Sequence, residues 1–318
     1  MQTNIDSFDD LNEQGYLRTA AEQIVTSCGS PIDWGSSDTL PTSLGLAKSG
    51  SSQIYELDVD KICRLNNECS YSLSYLEASK ATKLDVAFGI TVTQMLSIIV
   101  EPISNSTIGE TTTYNFKVTV KANLEPTEAT LQGYIIDKEE ISSISNTTST
   151  DGIGNLSFQL LNSSNGTALI VVFARATIDD RLTAYQAYSF NHLSEETPFN
   201  QTYLNLSPLN NRLDITVENS SSTTIDECYA ISFGHQSEPP LVSSNVYEIP
   251  ELVDRSPIVL VITGHNDSMF FIEYCAYPIV PLSFGSNFDS SGQNTFVYTV
   301  NIEGTLYKLI ITLGDASK

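Results

Sequence analysis

The sequence predicts a mainly β protein with a small α-helical N-terminal region, built as a β-sandwich followed by a second β domain. Three observations predict it. Apolar residues spaced three and four apart are confined to the first part of the chain. From Leu84 onward the pattern changes to strict alternation, the period of a half-buried strand. Turn residues then separate the alternating runs at fairly regular spacing, as in a sandwich of about a hundred residues.

The elements follow in order. Residues 8–27 read as a helix, with Phe8, Leu11, Leu17, Ala20, Ala21, Ile24 and Val25 on one stripe. Gly29 and Pro31 end it. An ordinary amphipathic helix packed on its own domain and a filament helix share this pattern. Residues 30–56 are a loop rich in Gly, Ser and Pro. A second helix begins at Asp58, whose carboxylate caps the first turn, with Ile62 and Leu65 inward. A third covers about Ser70 to Ala81.

Strands are expected at Val86–Val92, Tyr114–Val120, Leu131–Ile136, Leu156–Leu160, Ala168–Ala176 and Tyr185–Phe190. Asp151-Gly152-Ile153-Gly154-Asn155 has strong turn chemistry. The polar stretch Leu193–Phe199, with Pro198, suits a linker. Beyond it, Leu213–Val217, Pro257–Thr263 and Met269–Tyr277 read as strands, and Phe296–Val300 and Tyr307–Leu313 as a closing hairpin turning at Glu303-Gly304. The predicted divisions are residues 1–84, 85–192 and 193–318.

Composition bounds the function. A net charge of −23, from 38 acids against 15 bases, repels phosphate backbones and anionic lipid heads, so nucleic acid is not an expected partner. Only 17% of residues are charged, so hydroxyls and amides must build much of the surface. No run of about 18 apolar residues crosses a membrane. The polar start Met1-Gln2-Thr3-Asn4 is no secretory signal. A secreted composition with such a start leads us to expect a hydrophobic segment upstream, and any membrane attachment would run through it.

Asn-X-Ser/Thr occurs nine times, at Asn105, Asn146, Asn155, Asn162, Asn165, Asn200, Asn205, Asn219 and Asn266. Each would be a surface acceptor in a secreted protein, and their density points outside the cytosol. A surface that merely uses Ser, Thr and Asn in place of charge is the alternative. Five cysteines fit the same compartment. Cys63 is expected to pair with Cys69, and Cys228 with Cys275, leaving Cys28 odd. No CxxC or His-x-x-x-His favours zinc, and His192, His235 and His265 are scattered.

No nucleophile elbow or phosphate-binding glycine loop is present, so no catalytic residue is assigned. The carboxylate pairs Asp9-Asp10, Asp58-x-Asp60, Glu139-Glu140 and Asp179-Asp180 are expected by chance among 38 acids. No cofactor is expected. Calcium is the one ion that the loop residues Asp151, Asn155, Asp179 and Asp180 suit, although turn formers and solvated acids look the same. The aromatic run Phe270–Pro278 reads as a core strand, or as an exposed surface for glycans or another subunit.

One stretch resembles a known group. Ala20 to Trp34, with Gly29-Ser30-Pro31 and then Trp34, is similar to archaeal pilin-like surface proteins. The likeness resumes at Leu44-Gly45-Leu46-Ala47 and at Tyr55 to Leu65, where Leu57-Asp58 opens a short helix carrying Lys61. It covers about a quarter of the chain. It departs in the missing hydrophobic N-terminal segment and in Cys28, where a small residue or Pro is usual. Residues Ala129–Ile135 and Thr150–Phe158 resemble bacterial and archaeal immunoglobulin-like surface modules, in which a Thr-Asp-x-x-Gly turn precedes a strand. Together the resemblances imply a non-enzymatic extracellular cell-surface or pilus-like structural or adhesion protein. Its partners would be other cell-surface or filament subunits, and glycans. A secreted carbohydrate- or calcium-binding module is the alternative.

Overall fold

The computed structural model describes residues 3–194, 202–218, 222–251, 254–286, 288 and 293–314, with side-chain surroundings from residue 14 onward. In chain order come α1 (Thr3–Thr26), α2 (Val59–Cys63), α3 (Tyr75–Thr82) and β1 (Ala87–Gln94). Then follow β2 (Leu96–Ile108), β3 (Thr111–Ala122), β4 (Glu125–Pro126), β5 (Ala129–Ile136), β6 (Ile141–Thr147), β7 (Ile153–Leu161), β8 (Gly166–Ala176) and β9 (Thr183–His192). Next are β10 (Leu204–Leu209), β11 (Arg212–Val217), β12 (Thr223–Ile231), β13 (Gln236–Ser237), β14 (Leu241–Ser243) and β15 (Val246–Glu248). Last are β16 (Ile258–Asn266), β17 (Met269–Tyr277), β18 (Leu282–Gly285), β19 (Gln293–Ile302) and β20 (Thr305–Gly314). The protein is mainly β with a small helical N-terminal region, as its patterning predicts.

The chain divides into two compact units: residues 1–93 with 278–302 and 306–318, and residues 94–277 with 303–305. These cut across the divisions read at 84/85 and 192/193. In the first unit the sheet order is β18-β1-β20-β19, so β1 sits between two strands from the far end of the chain. Alternation identifies β1 and β20 as one-faced strands but carries no label for their partners. Non-local pairing therefore joins what the sequence placed in separate segments. The closing hairpin forms as read, with positive φ at both Glu303 and Gly304, the geometry of a primed turn.

The helices start where their caps lie. Asp58 accepts from the backbone N–H groups of Asp60 and Lys61. The third helix begins at Tyr75 rather than Ser70, because Ser74 and Glu77 form a reciprocal capping box. Residues 70–73 are used in turns instead, with Ser72 N–H bonded to Cys69 O and Leu73 N–H to Arg64 O. On α1 the buried residues are Leu17, Ala20, Ala21, Ile24 and Val25, the stripe its spacing predicts. Phe8 and Leu11 precede the residues whose side chains are described.

The second unit holds the sandwich. One sheet has β2, β3 and β7 side by side, with β4 on the β7 edge of β3. The other has the order β6-β5-β8-β9. In immunoglobulin lettering this is A-B-E against C′-C-F-G. Phe116, Val118, Leu131, Leu156, Phe158, Ile170 and Val172 fill the space between the sheets.

β8 explains the rest of the unit. Its apolar run is unbroken because both of its faces are covered. Ala168, Ile170, Val172 and Ala174 point into the sandwich core. Leu169, Val171 and Phe173 point the other way, against Tyr229, Ile231, Val259 and Val261 of β12 and β16. The β-rich region after residue 193 therefore does not form a separate domain: the sheet β13-β12-β16-β17 is a third layer on the sandwich.

Burial of this second core sets a pH dependence. Burial, with help from the negative charge of Asp254, pushes the Tyr134 hydroxyl from 10.0 up to about 12, and burial pushes Tyr185 up as well. A hydroxyl that loses its proton more readily when unfolded stabilises the fold below the unfolded value and loses that contribution as pH rises. We expect stability to fall between about pH 10 and pH 12, with phenolate absorbance rising alongside the loss of β signal in circular dichroism. Full phenolate absorbance near pH 10 in a still-folded protein would contradict this.

Candidate functional site

The residues that carry the pilin-like resemblance converge on the C-terminal end of α1. A helix leaves its last carbonyls without intrahelical partners. Here Leu46 N–H donates to Ile24 O at 2.8 Å and Ala47 N–H donates to Ser27 O at 3.0 Å. The Gly45-Leu46-Ala47 segment thus caps the helix from outside. Gly45 must lack a side chain, since a Cβ there would lie 2.3 Å from Ser27 O. Gly29 turns the chain at φ +72, and its own Cβ would meet Ser43 O at 2.6 Å.

Three long side chains lock this segment. Trp34 is fully buried, and its indole N–H donates to Gly45 O at 3.1 Å. Lys61 is also fully buried. Its Nζ donates to Ala47 O at 2.8 Å and lies 3.6 Å from Asp58 Oδ2. Arg64, 1% exposed, donates to Tyr71 O at 2.7 Å, to Thr39 O at 2.9 Å and to Trp34 O. Its guanidinium carbon lies 5.5 Å from the centre of the Trp34 ring. Burial draws the Arg64 pKa down, and the carboxylates of Asp38 and Glu77 act against that.

Both cations thus bind backbone carbonyls of residues 34–47, and Arg64 also ties in Tyr71 O. Lys61 and Arg64 stand three apart on the turn that begins with α2, so they reach the same side. The arrangement is a clasp: α2 holds residues 34–47, and those hold α1. Asp58, read as a cap, also joins the clasp by its backbone, donating to Leu46 O at 2.9 Å. Sequence reading found the motif but missed Arg64; its one signal was a charge placed three residues after Lys61 among apolar neighbours.

The glycosylation candidates divide by environment. Asn105, Asn146, Asn155 and Asn165 are exposed; Asn162, Asn205 and Asn266 are half-buried; Asn200 and Asn219 lie outside the described residues. Asn162 is committed to structure. Its amide donates to Gly109 O at 3.1 Å, and its oxygen accepts from Thr112 at 2.9 Å. The hydroxyl of Ser164 in the same motif is buried and donates to Asp137 at 2.6 Å. In glycopeptide mass spectrometry we expect modification at Asn105 and Asn165 and an unmodified Asn162. A glycan on Asn162 of folded protein would overturn that reading.

No disulfide is present among the described residues. Cys63 and Cys69 are nonetheless brought together: both are buried, and their thiols share a hydrogen bond. Burial pushes the Cys63 thiol well up. The pairing of Cys228 with Cys275 is wrong for this fold. Cys228 is opposite Ile262 and Cys275 is opposite Leu260, so β16 runs between them. Two strand spacings, about 10 Å, separate the pair, beyond the ~7 Å that a bridge spans. Cys275 lies on a predicted strand and Cys228 on β12, which was not read from the sequence, and sequence does not say which strands are neighbours. Cys28 follows α1 and is partly exposed.

The carboxylates have structural roles. Asp179 is held in a two-point pair by Arg181, which draws its pKa down. Glu139 and Glu140 present their backbone N–H groups to Asp137. Asp151 is exposed beside the turn that opens β7, and Asn155 lies within that strand. These oxygen donors do not gather, and among the described residues no group of three or more His, Cys, Asp or Glu could hold a metal. Asp9-Asp10 falls where side chains are not described.

The histidines are separate. His192 is buried in the sandwich, donating from Nε2 to Leu161 O at 2.8 Å and accepting from Tyr114 at 2.9 Å on Nδ1. His265 pairs with Asp226 at 2.6 Å on the surface, and His235 O accepts from Tyr134 at 3.4 Å. The aromatic run became β17, half in and half out: Phe271 and Tyr277 are buried, Tyr274 is exposed. Among the described residues no helix is long and apolar enough to cross a membrane.

No family model matches the chain, and no curated protein matches it. Among solved structures, HBP35 of Porphyromonas gingivalis is similar at 11% identity, over 57% of this chain and 63% of that one, with a TM-score of 0.22. The chain therefore spans less than two thirds of that structure, and a likeness at this level carries no inference about function.

Proposed function

We propose that this protein is a non-enzymatic extracellular component of a cell surface, of the pilin-like kind, in which α1 continues a membrane or filament-core helix. The clasp is the observation that carries this reading. A helix that only packs on its own domain needs an apolar stripe. A helix that bears load from outside also needs its end fixed to the folded body. Two buried cations and a buried Trp on one 14-residue loop (residues 34–47) supply that fixation. The exposed asparagines of the immunoglobulin-like sandwich would then be glycan acceptors. Other surface or filament subunits are the expected partners.

Cell-surface immunolabelling tests the proposal. Antibody against the purified chain should label intact cells of the source organism, and sheared filaments should carry the protein. Protein from that source should also show Cys63 and Cys69 oxidised to a disulfide, detected as a linked peptide under non-reducing conditions. Label that appears only after permeabilisation, with both thiols reduced, would sink the reading.

A further inference from the structure

The first unit carries a second feature with no part in the clasp. A cleft of about 500 Å³ lies between residues 65–75 and the edge strand β18. That volume falls in the range of small-molecule sites. Not one of its lining residues is charged, in a chain with 38 acids and 15 bases. The polar wall is made of amides and hydroxyls: Asn66, Asn67, Ser72, Ser74 and Ser283.

Two of these are fixed in place. Ser74 is held by the capping box, and Asn66 Oδ1 accepts from Glu68 N–H at 2.9 Å. Asn67, Ser72 and Ser283 are exposed. Two aromatic rings, Tyr75 and Phe284, also line the cleft, partly exposed and 6.4 Å apart. The backbone adds further groups. Ser286 N–H bonds to Phe88 O, so by antiparallel alternation the peptide groups of Ser283 and Gly285 point away from β1. β18 is an edge strand, so those groups are turned to the cleft side.

We propose that this cleft binds a neutral saccharide. An anionic or cationic ligand would be met by an opposite charge, and there is none on the wall. A lipid or apolar ligand would cover the hydroxyl and amide side chains of Asn67, Ser72 and Ser283 with nothing to bond them, at a cost for each. A sugar answers both: its hydroxyls donate to and accept from Asn and Ser, while its C–H face packs on an aromatic ring. The inference does not depend on the clasp or on a surface location.

Calorimetric titration of the whole chain tests it. The probes are maltotriose, cellotriose and triacetylchitotriose, with sialyllactose as the charged control and an extended β-strand peptide as the competing class. At least one neutral trisaccharide should bind at millimolar concentration or below, equally at low and high salt. Asn67→Ala should weaken it about tenfold, the loss of one or two hydrogen bonds. Ser283→Trp should abolish it by filling the cleft. Far-ultraviolet circular dichroism identifies folded variants, and if Ser283→Trp misfolds, Asn67→Ala decides. Absence of binding by all three neutral sugars, binding unaffected by Asn67→Ala, or binding only of sialyllactose or the peptide would overturn the proposal.

Discussion

Replacing Arg64 with Ala should cost about 3–5 kcal/mol of stability, the sum of several carbonyls left unmatched and the packing of a buried side chain lost. Three carbonyls, of Trp34, Thr39 and Tyr71, lose their donor at once. Each buried acceptor left unmatched costs about 1–3 kcal/mol. The face of Trp34 also loses its cation. Arg64→Lys should recover only part of the loss, because a single ammonium cannot reach three carbonyls on different segments. Trp34 is the chain's one tryptophan, so its emission reports on the clasp directly. It should shift to longer wavelength in Arg64→Ala and unfold at lower denaturant. The exposed Lys80 supplies the control, with Lys80→Ala expected within about 0.5 kcal/mol of the parent. A loss of under about 1 kcal/mol for Arg64→Ala would mean that the clasp does not hold this unit together.

Phe173→Ala should be as severe, about 3–5 kcal/mol. Phe173 is fully buried on the outward face of β8. Its ring meets Tyr134 edge-on at 6.0 Å and Tyr185 at 6.2 Å. Truncation leaves a cavity between two sheets that cannot both move in to fill it, since β8 is also pinned by the sandwich core on its other side. Denaturant unfolding followed by far-ultraviolet circular dichroism measures the change. Ile178→Ala, at a position 77% exposed, should change little. If Phe173→Ala behaved like Ile178→Ala, the third β layer would not be packed on the sandwich.

The two variants also mark how far each conclusion was visible in the sequence. Arg64 sits in a stretch whose motif was recognisable, yet its role was not, because a buried Arg and a solvated one look alike in one dimension. Phe173 belongs to a run that was read correctly as a strand. What the run could not say was that its two faces serve two cores. An unbroken apolar run requires cover on both sides, but the covering strands come from residues 229–261, across the stretch read as a linker.

The same division runs through the whole chain. Local chemistry determined the elements: the cap at Asp58, the stripe from Leu17 to Val25, the alternation in β3 and β7, and the turn at Glu303-Gly304. Each of these is settled by interactions within a few residues, and composition alone set the acidic field. Tertiary structure decided the partners. It placed β1 between β18 and β20, put β16 between Cys228 and Cys275, and turned a sequence motif into a clasp. Strand pairing draws on backbone groups that every residue carries, so the sequence of one strand does not name its neighbour. Only the competition among all possible burials of all the apolar faces resolves that choice.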